Sequence, residues 1–285
     1  MNVTHGNESE QRALWNGIAG RAWVDVQEVL DRLFTPFEDL LVEAATAARA
    51  HSVLDVGCGT GSTTLAVARV LEAGGHCLGI DISEPMIALA RTRAAHERTP
   101  AEFVCADAQV HAFEPASVDM ILSRFGVMFF DNPVLAFSNL RRAARDDAQL
   151  RFIAWRSAAA NPFMTTAERA AAPLLPNLPP RRPDAPGQFA FASRDRVDAI
   201  LQESGWTRID IRPLDVDCTL PERDLARYVT RLGPVGLSLQ DADADTRARV
   251  FESVRGAFDP YVHGDQARFI AACWMVSAVC PAATA

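Results

Sequence analysis

Val53-Leu54-Asp55-Val56-Gly57-Cys58-Gly59-Thr60-Gly61 decides the fold of this chain: an apolar run breaks into three glycines spaced at every second residue. A short apolar run bounded by glycine reads as a strand buried on both faces. Glycines where a strand turns into a helix let the backbone approach a ligand with no Cβ in the way, and the helix behind them offers unpaired N–H groups. That combination suits a nucleotide-like ligand. Asp81 stands twenty residues beyond Gly61, at the end of the next strand run, where a carboxylate can accept both hydroxyls of a ribose. Asp107 follows a third run in the same way, within Cys105-Ala106-Asp107-Ala108, a setting suited to an adenine edge. Three strand ends thus converge on one nucleoside.

On either side of this stretch, strand runs alternate with helical ones. Ser52 to Asp55, His76 to Ile80, Phe103 to Cys105, Val118 to Leu122 and Leu150 to Trp155 read as strands, and Gly61 to Leu71 and Pro133 to Ala144 as helices. Ser83 is placed to cap a further helix whose first turn holds Pro85 and whose apolar positions are Met86, Ile87, Leu89 and Ala90. The alternation predicts a parallel sheet covered by helices on both faces. Residues 1–50 are helical and amphipathic, with Trp15, Trp23, Val26, Leu30, Leu33 and Phe37 near one face. From residue 156 to 192, prolines at 162, 173, 176, 179, 180, 183 and 186 forbid long regular elements, leaving a short helix, Met164 to Ala172. A long irregular insertion of this kind serves as a lid or a binding loop. A helix (Arg194 to Glu203), a strand (Arg208 to Leu214), helices (Pro221 to Arg231 and Asp243 to Phe258) and a β-rich stretch (Arg268 to Val279) follow. The expected organisation is one globular domain: a helical cover (1–50), a nucleoside-binding core (51–155), a Pro-rich insertion (156–193) and the completion of the sheet (194–285).

The chain has 285 residues, 49% hydrophobic and 22% charged, which excludes disorder, collagen and coiled coil as overall descriptions. Acidic side chains number 36 against 28 basic, for a net charge of −8, so no basic surplus exists to hold a polyphosphate backbone and no nucleic-acid partner is expected. Every basic residue other than histidine is Arg, which removes Schiff-base chemistry and Walker-type phosphate loops. Cys58, Cys77, Cys105, Cys218, Cys273 and Cys280 show neither CxxC nor zinc-finger spacing, so they read as buried thiols in a reducing compartment, with no metal. MNVTHGNESEQRALW contains no apolar run, so no signal peptide is expected. Phe269 to Ala285, interrupted by Ser277 and Pro281, is too short to cross a bilayer. A cytoplasmic protein without membrane insertion is the expectation; oligomeric state is not legible.

The glycine loop as DVGCGTG, GIDIS at 79–83 followed by Pro85 and Met86, CADA at 105–108 and SRFGVMFFDNP at 123–133 resemble, in order and spacing, class I S-adenosylmethionine-dependent methyltransferases of the ubiquinone/menaquinone-methyltransferase-like branch. The resemblance covers residues 51–155; WNGIAGRAW at 15–23 and FAFAS at 189–193 extend it with less diagnostic signatures. It implies a Rossmann-like, seven-stranded, mostly parallel sheet whose final strand inserts antiparallel near the edge. It also implies residue roles. Gly57, Gly59 and Gly61 would line the methionine moiety with Asp55 near its amino group, Asp81 would hold the ribose, Ile82 and Met86 would flank the adenine, and Asp107 with the Ala108 backbone would bind its edge. Ser123 and Phe125 would approach the sulfonium.

Trp15, Arg21 and Trp23 are candidates to close over the cofactor, and Trp23 is the one carried forward. Arg124, Met128, Phe129, Phe163, Phe189 and Phe191 are candidate substrate contacts, since the insertion and the fourth-strand exit supply aromatic and aliphatic walls. The implied function is in-line methyl transfer to oxygen, nitrogen or carbon of a small, largely apolar or aromatic acceptor. No catalytic base is identified; His111 and His263 lack a recognisable carboxylate partner. Alternatives are a cofactor-binding protein that does not transfer methyl, an enzyme using the sulfonium for cyclisation or elimination, and, more remotely, an NAD(P)-dependent oxidoreductase. The last prefers GxGxxG, whose third glycine would fall at Ser62.

Overall fold

The computed structural model describes residues 5–179, 181–182 and 185–282; Pro180 and Pro183 lie outside the described residues. Three helices open the chain, α1 (His5–Asn16), α2 (Ile18–Asp25) and α3 (Gln27–Ala47). The alternating core follows as β1 (Ser52–Val56), α4 (Ser62–Val70), β2 (His76–Asp81), α5 (Glu84–Glu97), β3 (Ala101–Cys105), β4 (Val118–Arg124), α6 (Pro133–Ala143) and β5 (Ala144–Trp155). After it come α7 (Pro162–Ala171), α8 (Arg194–Glu203), β6 (Thr207–Pro221), α9 (Glu222–Arg231), α10 (Gly233–Ser238), α11 (Ala244–Ala257), β7 (Val262–His263) and β8 (Gln266–Val279).

The sheet runs β3-β2-β1-β4-β5-β8-β6, with the two-residue β7 paired to β8. Strands β3 to β5 are parallel; β8 lies antiparallel between β5 and β6, with Phe152 opposite Val276 and Ile211 opposite the same residue on the other side. This is the mostly parallel, Rossmann-like sheet expected from the resemblance, with one short strand added. Val53, Leu54 and Val56 of β1 are fully buried because helices cover both faces of a parallel sheet. α3 turns Val29, Leu30, Leu33, Phe34, Phe37 and Leu41 inward at helical spacing, and Phe34 and Phe37 meet Phe125 with ring centroids 5.4 and 5.1 Å away. Strand order reverses between β1 and β4, and the loops leaving their C-terminal ends part there to form a crevice.

Several boundaries differ from the sequence reading. β5 begins at Ala144, not Leu150: Ala144 pairs with Val118, then the register shifts, and Asp147 takes a positive φ of 61°. The polar Arg145-Asp146-Asp147 therefore belongs to an irregular strand start that no alternation could reveal. β6 runs on to Pro221, carried by its pairing with β8 rather than by its own pattern. α10 lies between the two expected helices and is absent from the sequence reading; it opens on Gly233 and Pro234, the latter tolerated in a first turn. The insertion is also tied down more firmly than a loose lid. The Asn161 side chain accepts from the Ala272 N–H at 2.8 Å and donates to its carbonyl at 2.9 Å, imitating a strand partner for β8, and the Phe163 ring stacks on Phe269 at 3.6 Å. Among the described residues, no helix is long and apolar enough to cross a membrane.

Candidate active site

A cavity of about 380 Å³ opens at the crevice. Its lining brings together Trp23, Gly57, Gly59, Asp81, Ile82, Met86, Asp107, Ala108 and Phe125 from the expected cofactor residues, and Arg124, Met128 and Phe129 from the expected substrate residues. The three glycines divide their work. A Cβ on Gly57 would sit 2.6 Å from the Gly126 Cα, and one on Gly61 would sit 2.8 Å from the Phe103 ring, so both positions are required by packing between protein segments. Only Gly59, at φ +57°, would point a Cβ into space, with the Met86 sulfur at 3.8 Å as its nearest neighbour. Gly57 and Gly59 line the cavity and Gly61 does not, which corrects the expectation for Gly61; of the three, only Gly59 leaves the space of a Cβ open.

Asp81 is buried at the end of β2, and its two carboxylate oxygens are anchored separately: Oδ2 accepts from Gly59 N–H at 2.8 Å and Oδ1 from Ser83 N–H at 2.9 Å. Burial pushes its pKa up, opposed by the backbone N–H groups of Ser83, Gly59 and Ile82. Asp107 is held by Gln109, whose backbone N–H and side-chain amide both donate to it. Gln109 in turn accepts from Asn132 N–H at 2.8 Å, and Asn139 fixes the Ala108 carbonyl at 2.9 Å. Phe125 occupies the left-handed region at φ 64°, rare for an aromatic residue, with its N–H donated to Ile153 and its ring stacked 4.5 Å from Trp155.

Asp55, Gly61 and Ser123 do not reach the cavity surface and stand behind it. The Ser123 hydroxyl donates to the Val56 carbonyl at 2.8 Å and accepts from Gly126 and Val127, so it ties the loops after β1 and β4 together. Asp55 accepts from the Thr64 hydroxyl at 2.6 Å; burial raises its pKa to about 6, while the Thr64 hydrogen bond and the Arg124 charge pull the other way. Phe163, Phe189 and Phe191 are likewise off the cavity, correcting their expected role as walls. Phe163 packs against β8, Phe191 is buried against Phe137 and Phe152, and Phe189 lies under the Arg181 guanidinium. The insertion lines the cavity instead through Met164, Arg181, Pro186, Gly187 and Gln188.

Trp15, read only as a candidate, lines the cavity and meets Phe129 edge-on at 5.0 Å, while Arg21, His111 and His263 do not line it. The turn between α1 and α2 is latched to the β2–α5 loop. Asn16 donates to the Ile82 carbonyl and accepts from Glu84 N–H, and the Ser83 hydroxyl, expected to cap α5, donates to the Trp15 carbonyl. Phe34, Gln109, Trp155, Tyr228 and Leu237 also line the cavity and were missed. Gln109 could have been suspected from its position two residues after Asp107, where an Asx turn is made; the others are distant in sequence and carry no local signal. Among the described residues, no group of three or more His, Cys, Asp or Glu is placed to hold a metal, and all six cysteines are free.

Residues 53–147 match a family model described as a methyltransferase domain. An uncharacterized protein of Mycobacterium tuberculosis is 26% identical over 183 residues, 63% of this chain; the chain spans 62% of that relative's length. The demethylmenaquinone methyltransferase of Renibacterium salmoninarum is 24% identical over 62% of this chain and 75% of its own length. The fold is shared with the YcgJ protein of Bacillus subtilis, at a TM-score of 0.56 and 15% identity, covering 86% of this chain and 98% of the other. The segment from Val53 to Asp147, built on the glycine loop and the three strand ends, is a class I S-adenosylmethionine-dependent methyltransferase domain.

Proposed function

We propose that the protein transfers the methyl group of S-adenosylmethionine to a small, largely apolar or aromatic acceptor. One observation carries this reading: the lining of a single cavity includes Gly59, Asp81, Met86, Asp107 and Ala108, which we assign to a cofactor end, together with Phe34, Phe125, Trp155, Met164 and Leu237, which we assign to an acceptor end. The first end fits the cofactor. The space a Gly59 Cβ would occupy is open, and Asp81 and Asp107 present carboxylate oxygens already oriented by the protein. When bound, S-adenosylmethionine supplies a methyl group on a sulfonium, a leaving group needing no further activation.

The chain's residues would therefore mainly align and exclude water. Asp81 would accept the ribose hydroxyls, Ile82 and Met86 would sandwich the adenine, and Asp107 with the Ala108 backbone would read its edge. Gly57, Gly59 and Phe125 would border the methionine chain, the Phe125 and Trp155 ring faces favouring a cationic sulfur. Asp55, Gly61 and Ser123 would act from behind, by holding the loops. Trp15 and Trp23 would cover the cofactor end, and residues 156–193 would shape the acceptor end. The name of the Renibacterium relative supports a ring acceptor, and the six free thiols support a reducing, cytoplasmic setting.

Calorimetric titration with S-adenosylmethionine and with NAD tests the first half of the proposal, with binding of the former and not the latter expected. A panel of aromatic phenols, quinols and amines assayed with methyl-labelled S-adenosylmethionine tests the second. Binding of NAD alone would overturn the reading.

A further inference from the structure

The acceptor half of the cavity holds few polar groups, and most are already engaged. Arg124 is held by Ser62 at 3.3 Å and Glu38 at 3.7 Å, Arg181 by Glu168 and Gln188, and the half-exposed Arg231 reaches Asp25 at 3.7 Å. No carboxylate or imidazole lines this half among the described residues; Asp81 and Asp107 belong to the cofactor half. A cationic acceptor would therefore find no carboxylate there, and an anionic one would compete with the partners that already hold these arginines.

Tyr228 is the exception. It lies on α9 and lines the cavity beside Met164, and its hydroxyl has one hydrogen-bond partner among the described residues, the Met164 thioether sulfur at 3.8 Å. A thioether is a weak acceptor, whereas a phenol in apolar surroundings ordinarily finds oxygen or nitrogen. The ring is fixed: Phe163 packs on it with centroids 5.9 Å apart, and Leu225 and Val229 bury the adjoining face of α9. Burial raises its pKa further above that of an ordinary phenol, so at neutral pH the group is a donor and not a base.

We propose that Tyr228 sets acceptor specificity by donating its phenolic hydrogen to an oxygen of the acceptor, so that the substrate class is an uncharged ring compound bearing a ketone, quinone or phenol oxygen. The inference rests on the division of the cavity proposed above. No proton need leave Tyr228; its role is recognition and orientation, and methyl transfer itself is unchanged by it.

Two probes of nearly equal shape isolate the effect: 1-tetralone, which carries a carbonyl, and tetralin, which does not. Binding is followed by fluorescence of Trp15, Trp23 and Trp155, all on the cavity, with S-adenosylhomocysteine saturating. The wild type is expected to prefer 1-tetralone by roughly three- to tenfold, the effect of one net neutral hydrogen bond. Tyr228→Phe should abolish that preference while leaving tetralin affinity and the urea midpoint unchanged, since the lost partner is a thioether. Equal affinities in the wild type, or a preference that survives in Tyr228→Phe, would overturn the proposal. Failure of S-adenosylhomocysteine to bind would instead overturn the division of the cavity, and the role of Tyr228 with it.

Discussion

Gly59 and Gly61 sit two residues apart, yet their replacement has different consequences. Gly59→Val introduces strain of about 1–2 kcal/mol at its left-handed φ, but its side chain enters the cavity. S-adenosylmethionine binding should vanish in calorimetry while far-UV circular dichroism stays unchanged. Gly61→Val drives a side chain into Phe103 and Ala90, lowering the urea-denaturation free energy by about 1–3 kcal/mol beyond the backbone strain. Asp81→Asn is expected to weaken cofactor binding by about 1–3 kcal/mol, the loss of charge-assisted hydrogen bonds to a ligand. Asp55 makes a pH signature. Its folded pKa of about 6 lies above its ordinary 3.8, so the native state binds the extra proton between those values. Its contribution to stability is fully present below pH 4 and is lost as pH rises through about 6, a change on the order of 3 kcal/mol for a buried group. Asp55→Asn, able to keep the Thr64 hydrogen bond, should remove that slope; denaturation of both proteins at pH 4, 5, 6 and 7 measures it. The alternating glycines were plain in the sequence, but their division of labour was not, because Gly126 and Phe103, the residues that forbid a Cβ, lie far along the chain.

At the scale of elements, the two-bond latch from Asn16 holds the α1–α2 turn over the loop after β2, beside Asp81. Asn16→Ala should speed dissociation of S-adenosylhomocysteine about five- to tenfold by removing roughly a kilocalorie per mole of closing free energy; stopped-flow fluorescence from Trp15 and Trp23 reads it. The central strands and helices could be read directly from sequence because each satisfies a local rule, as where Val53 and Leu54 form an apolar run and Ser193 accepts from Arg196 N–H to cap α8. Elements fixed by a partner could not. The first residues of β5 and the far end of β6 exist as strand through pairing, and α7 presents Met164, not Phe163, to the cavity, a choice of helix face set by where Phe269 stands.

Across the whole molecule, the net charge of −8 argues that no long anion is held. A fluorescein-labelled single-stranded RNA should show no anisotropy change with the protein at physiological salt; saturable binding would remove small molecules as the proposed acceptor class. The sheet's topology has another consequence, in the order of synthesis. β5 and β6 touch through β8 alone, so a nascent chain that has emerged only to about residue 265 has five parallel strands ready to pair, with the rim of β5 bare and β6 without a neighbour on that side. An unpaired rim invites other chains. During translation the five parallel strands can assemble early, whereas β6 and the segment that Asn161 and Phe163 pin to β8 wait for residues 266–279, so the bare rim of β5 is expected to be most exposed to other chains in that interval.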